Sequence, residues 1–252
     1  MTQDSHILLD GQPSSAVLVV CDHASNFIPA ELNNLGVPEQ YMGEHIAWDI
    51  GAGNLARALA EEIGAWALLC GNSRMVVDCN RRLDDTSVFP VQSDGVPIPG
   101  NLDLASSDRE RRANRFYWPY HHAIRDQLCV LEAVRVAPAV ISIHSFTPTL
   151  NGVERPWHVG ALYDKDDRIA VAFLAAMGEA PDIVAGDNEP YSGKDAADFT
   201  LDHHAEAEGL PHLAIEVRQD LIDTPAGVVK WTELLAQALG VLDDPGLYTH
   251  RA

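Results

Sequence analysis

Val140–Pro148 reads VISIHSFTP, and the chain is best understood outward from it. Val140 to Ile143 are three β-branched residues around one Ser, the pattern of a short buried strand. His144 follows at the strand's C-terminal edge, then Ser145 and a loop broken by Pro148. In open α/β sheets that edge faces the ligand crevice. A histidine placed there can ligate a metal or move a proton, although a hydrogen-bonded loop histidine gives the same local pattern.

The same layout occurs earlier. Ala16–Cys21 (AVLVVC) is a compact apolar strand, and Asp22-His23-Ala24-Ser25-Asn26 is its exit loop. Further strands are predicted at Trp66–Leu69, Met75–Val77, Trp157–Tyr163 and Leu213–Val217, with a short apolar segment at Ile183–Val184. Helical spacing runs through Ile50, Leu55, Leu59 and Ile63, predicting a helix over 46–63 that Gly64 ends. The strongest helical stretch is 108–135, with Pro119 starting a new helix or kinking this one. Others are expected over 167–178 and Pro225–Leu239, with a helix end at His203–Glu208. Residues 1–15 read as a polar lead-in, 84–107 as an irregular loop that serves as a lid or an insert, and Asp187–Asp198 as a polar loop. Strands alternating with helices, without a repeat or a linker, predict a single α/β domain over 1–252 with its core at about 16–240. Its sheet is expected to be mixed, mostly parallel and covered by helices.

Composition narrows the function. The 252 residues carry 37 acidic against 17 basic side chains, a net charge of −20. Such a field repels nucleic acid and anionic membranes, yet leaves room for an anionic small molecule where arginines line one pocket. Cys21, Cys70, Cys79 and Cys129 are scattered with no CxxC pair, so buried free thiols are expected. No stretch has transmembrane length and the N-terminus has no basic-then-apolar leader, so the expectation is a cytoplasmic protein with no membrane partner. The oligomeric state is left open.

His23, Arg81, His144 and Glu216 stand at strand exits, joined by Asp49 at the head of the first helix. Two imidazoles and one carboxylate make a three-ligand set that leaves a zinc position open for water, whose pKa the metal lowers to about 7. A second carboxylate is then needed as general base, and Glu216 within LAIEV suits that role because desolvation raises its pKa. Arg81 can pair bidentately with a substrate carboxylate. Structural roles fit the same residues: His23 in a turn, Asp49 at its helix N-terminus, Arg81 bridged to Asp78, and Glu216 paired with Arg218.

Taken in order, CDHASNFIP, HIAWDIGA, SRMVVDCNR, SIHSFTP with RPWHVGALYD, NEPYSG and LPHLAIEVRQDL resemble the N-formylglutamate amidohydrolase family over about residues 16–240. The resemblance implies a zinc-carboxypeptidase-like α/β fold and metal-dependent cleavage of an N-acyl group, N-formyl first, from an amino acid such as glutamate, as in histidine degradation. It assigns His23, Asp49 and His144 to Zn2+ or another divalent metal, and Glu216 to proton transfer. Arg81 and Arg218 would bind the amino-acid carboxylate, Asn188 and Tyr191 the substrate or transition state, with Trp157 and His158 as walls. The carboxypeptidase HxxE pattern is missing, because Asn26 stands three residues after His23, so Asp49 takes the carboxylate-ligand place. Asp22-His23-Ala24-Ser25 also replaces the Pro-His-Ala/Ser-Gly of the founding deformylases, which points to a side branch. Alternatives of neighbouring chemistry are a carboxypeptidase, another N-acyl-amino-acid deacylase, or a non-catalytic carboxylate-binding protein.

Overall fold

A seven-stranded sheet carries the molecule. The computed structural model describes residues 4–194 and 198–251. The strands are β1 (His6–Leu9), β2 (Val17–Cys21), β3 (Trp66–Cys70), β4 (Ala139–Phe146), β5 (Val159–Leu162), β6 (Ala185–Asp187) and β7 (His212–Arg218), in the order β1-β3-β2-β4-β7-β5-β6. β3, β2, β4 and β7 are mutually parallel, as are β5 and β6, while β1 joins β3 and β5 joins β7 antiparallel. The expected mixed, mostly parallel sheet is what forms.

Both faces are covered, which is why the central strands read as continuous apolar runs rather than alternating ones. Val17, Val19 and Cys21 of β2, Ile141 and Ile143 of β4, and Leu213, Ile215 and Val217 of β7 face one core. That core is closed by α1 (Ala52–Glu62), α4 (Arg168–Glu179) and α6 (Pro225–Ala238). Leu18, Val20, Val140 and Ala214 face the other, under α3 (Trp118–Glu132) and α5 (Phe199–His204), with α2 (Ser106–Arg112) leading into α3. Alternation is therefore intact although nothing in composition marks it. α1 buries Ala52, Leu55, Ala56 and Leu59, one stripe at i, i+3, i+4 and i+7.

Several expectations are corrected. Residues 6–9 are an edge strand, not lead-in, because β1 satisfies the outer backbone groups of β3. Met75–Val77 is a turn, held by Ser73: its Oγ donates to the Ala47 carbonyl at 2.7 Å and its carbonyl accepts from Val76 N–H at 2.9 Å. Three buried apolar residues in a row do not distinguish a turn from a strand. The first helix starts at Ala52 rather than 46, and the strand carrying His144 runs on to Phe146. Between α2 and α3 the chain makes a π-helical turn over Ala113–Tyr117, just before Pro119, where a helix was expected to restart. The 84–107 stretch holds a small hairpin and is anchored inward by buried Val88, Phe89, Ile98 and Asn101. Residues 195–197 of the polar 187–198 loop lie outside the described residues.

Two connections leave the sheet in opposite senses. After β2 the chain passes through α1 to β3 on one face; after β3 it passes through α2 and α3 to β4 on the other. Between β2 and β4 this opens a crevice at the C-terminal strand edge, the place where such sheets bind ligands.

Candidate active site

His144 lies on β4 with Ser142 and Phe146 on the same side, and register pairs it with Glu216 of the parallel β7. On its far side Glu216 faces Gly160 of β5, where an added Cβ would come within 2.0 Å of the Glu189 carbonyl. His23 follows the end of β2, and its carbonyl accepts from Asp49 N–H at 3.0 Å. Asp49 precedes α1, whose N-cap Gly51 has φ +82° against the Ile222 carbonyl, a conformation and a closeness that suit glycine alone. Its side chain points to the crevice rather than capping the helix.

These segments converge. His23 Nδ1 is 3.3 Å and His144 Nδ1 2.9 Å from Asp49 Oδ2, and all three residues are buried. Their ligand atoms lie within 4.8 Å of one another, the only such trio of His, Cys, Asp or Glu among the described residues. The outer imidazole nitrogens are also held. His23 Nε2 donates to Asp78 Oδ1 at 2.8 Å; His144 Nε2 is 3.0 Å from Ser142 Oγ and 3.5 Å from Asp22 Oδ2. With the Nε2–H groups so engaged, two Nδ1 lone pairs and a carboxylate oxygen point at one place. Three acceptors facing each other repel unless a cation or a proton lies between them. This donor set, with carboxylates behind the imidazoles, fits a divalent metal.

Electrostatics agree. Burial pushes His144 down, but Asp22 and Asp49 outweigh it and hold the imidazole well above its ordinary value. Burial and Arg74 likewise oppose, and Asp78 and Asp49 overcome, so His23 is raised. Asp49 and Asp78 sit low despite burial, drawn down by His23 and further by the cations around them. Arg74 donates to Asp49 Oδ1 at 3.1 Å and to Asp78 Oδ2 at 3.2 Å. Arg74 thus pairs with two of the three buried aspartates around the imidazoles, Asp49 and Asp78 but not Asp22, and the site is left in demand of positive charge. Glu216 behaves oppositely: burial, then Asp49 and Asp198, push it up to about 7 against the pull of His144 and His23. Its Oε2 is buried without a hydrogen-bond partner among the described residues.

A cavity of about 230 Å³ opens over the trio, lined among others by Glu216, Arg74, Arg81, Tyr191 and Asp198. A family model described as N-formylglutamate amidohydrolase matches residues 15–223. The chain belongs to this family. As a member it is a hydrolase of amide bonds. It is similar to gene product Atu2144 from Agrobacterium tumefaciens, at 33% identity over 95% of this chain and 94% of that one, with a TM-score of 0.88. An N-formylglutamate amidohydrolase from Ralstonia eutropha JMP134 shares the fold at 19% identity, TM-score 0.70, over 94% and 97% of the two chains. No curated protein matches the chain at a significant level.

The structure gathers His23, Asp49, His144, Glu216, Arg81 and Tyr191 around one cavity. It leaves two expected residues aside. Arg218 donates to Asp220 at 2.8 Å, and Asn188 Oδ1 accepts from Tyr163 and Gly193 N–H, holding its loop; neither lines the cavity. Glu216 does not pair with Arg218, and Asp78 pairs with Arg74 and His23. Asn26 donates to the Met42 carbonyl on the surface, clear of the trio. Sequence reasoning missed Arg74 and Asp78 as site residues, though both stand in SRMVVDCNR. It missed Asp22 and Asp198 as well. No helix of the described residues is long and apolar enough to cross a membrane.

Proposed function

We propose that the chain is a metal-dependent deacylase of N-acylated amino acids, with N-formyl as the first acyl group to test and glutamate as the first amino acid. The observation that carries this reading is the convergence of His23 Nδ1, His144 Nδ1 and Asp49 Oδ2 beside an unpartnered, raised Glu216. His23, Asp49 and His144 would hold the cation, and a borderline metal such as zinc suits two imidazoles and a carboxylate. When bound, the metal supplies Lewis acidity and lowers the pKa of water.

The chain's own residues do the rest. Glu216 takes a proton from the attacking water at Oε2 and returns it to the departing amine nitrogen, which completes amide cleavage to an acid and an amine. A carboxyl near neutrality is poised for both transfers. Arg81, on the cavity wall, grips a substrate carboxylate, and Tyr191 covers the amino-acid portion. Asp78 and Ser142 hold the imidazoles in the tautomer that exposes Nδ1. The small-molecule substrate and an N-formyl preference are supported by membership of the family and by the modest cavity.

Metal analysis of freshly purified protein, together with release of formate or acetate from a panel of N-formyl and N-acetyl amino acids and dipeptides, tests this. One stoichiometric divalent ion and turnover of N-formyl amino acids are expected. A metal-free protein that stays inactive when zinc is added would overturn the reading.

A further inference from the structure

Asp22 is the most deeply buried carboxylate beside the trio, with 1% of its surface exposed. Asp49 and Asp78 are answered by Arg74, whereas no arginine or lysine pairs with Asp22 among the described residues. Its Oδ1 accepts from the Thr200 hydroxyl at 2.6 Å. Its Oδ2 is buried with no hydrogen-bond partner among the described residues, and His144 Nε2 stands 3.5 Å away. A buried carboxylate satisfied on one side only costs free energy, which the nearest N–H recovers by closing on the free oxygen.

Thr200 fixes where that oxygen lies. It is the second residue of α5, fully buried, and its N–H donates to Asn80 Oδ1 at 3.0 Å. Asp22 is thus held from behind by a helix 178 positions away, with its unanswered oxygen beside His144. Ser142 Oγ, 3.0 Å from the same Nε2, plays a different part. A hydroxyl donates or accepts, so it bonds either ring tautomer, whereas an ionised carboxylate only accepts. Asp22 therefore demands the ring proton on Nε2, and this leaves the Nδ1 lone pair to a cation. Ser142 alone makes no such demand. His23 has the matching arrangement, with Nε2 on Asp78.

We propose that Asp22 is a positioning residue of the metal site, which takes the His144 Nε2–H on its Oδ2, aims Nδ1 at the cation and anchors this ligand to α5 through Thr200. This rests on the metal-dependent reading above. Asp22 touches no substrate and acts only through His144. A carboxylate behind a metal-ligating imidazole fixes both the ring's orientation and its tautomer.

The test loads wild type, Asp22→Asn, Asp78→Asn and Ser142→Ala with zinc. It reads zinc affinity by competition with a chromophoric chelator, and the histidine ring N–H signals by 15N-edited NMR. Asparagine at this place still accepts from Thr200, so an Asp22 that serves only packing predicts wild-type affinity. Asp22→Asn should instead weaken zinc binding about 10- to 100-fold. It should also move upfield one ring N–H signal that Asp78→Asn leaves in place. Ser142→Ala should keep that signal and weaken binding less than Asp22→Asn does. Wild-type affinity or an unmoved signal in Asp22→Asn overturns the proposal while the metal reading stands. If Asp22→Asn does not fold, Ser142→Ala decides: a retained signal supports Asp22 as the acceptor, and a lost one overturns it. A wild type that takes up no zinc overturns the metal reading and this proposal together.

Discussion

Glu216 and His144 are register partners across two parallel strands, so the carboxyl proposed to handle the proton and an imidazole proposed to hold the metal stand side by side on one face of the sheet. Rigid strands fix this adjacency better than loops would. It also explains the chemistry of Glu216, which is raised by burial although two imidazoles sit close by.

Glu216→Gln is nearly isosteric and removes only the capacity to take a proton. Turnover should drop by a factor of roughly 10³ while bound metal stays at the wild-type level. Steady-state kinetics with metal analysis on the same preparation checks this, and near-normal turnover would remove Glu216 from the base role.

The rate should depend on pH through the same group. Glu216 must be ionised to accept a proton, and its carboxyl is raised to about 7, so kcat should fall as pH drops below neutrality. A cation held by the trio favours the ionised form and moves the inflection lower. A pH profile of kcat on the metal-loaded enzyme measures it; an acid limb absent down to pH 4 would contradict the assignment.

Asp78→Asn keeps the shape behind His23 but weakens the hydrogen bond at Nε2 that leaves Nδ1 free. Metal affinity should fall by about 10- to 100-fold, with activity recovered at excess metal. Competition with a chromophoric chelator gives the affinity directly, and an unchanged value would mean that Asp78 does not orient His23.

A second histidine pair governs acid stability. His121 Nε2 donates to the Cys79 carbonyl at 3.0 Å, so its Nδ1 accepts from His204 Nε2–H at 2.9 Å. Burial pushes His121 down to about 4 and His204 to about 3. Folded values below the ordinary 6.5 mean that the unfolded chain takes up protons first, so the contribution is complete above pH 6.5. It is lost as pH falls toward 4 and then 3. For His121 the full loss is on the order of 3 kcal/mol. Urea titrations at pH 7 and pH 5 should show a smaller drop in His204→Gln than in wild type; equal drops would refute the linkage.

The sequence by itself determined the layers and three of the deepest site residues. Runs such as VLVVC and AVISIH read as strands buried on both faces, and a histidine following or ending such a run is placed at the crevice edge. Asp49 was legible only at the head of the first helix and through the family resemblance, which gave it the carboxylate-ligand place once Asn26 ruled out an HxxE pair. Tertiary structure decided what completes the site, because charge pairing depends on distances that chain order does not encode. Arg74 meets Asp49 across 25 positions, and Asp22 is held by Thr200 across 178. The turn at Met75–Val77, indistinguishable from a strand by composition, is what swings Asp78 back under His23. Likewise only packing assigns Arg218 to Asp220 and keeps it out of the cavity lining.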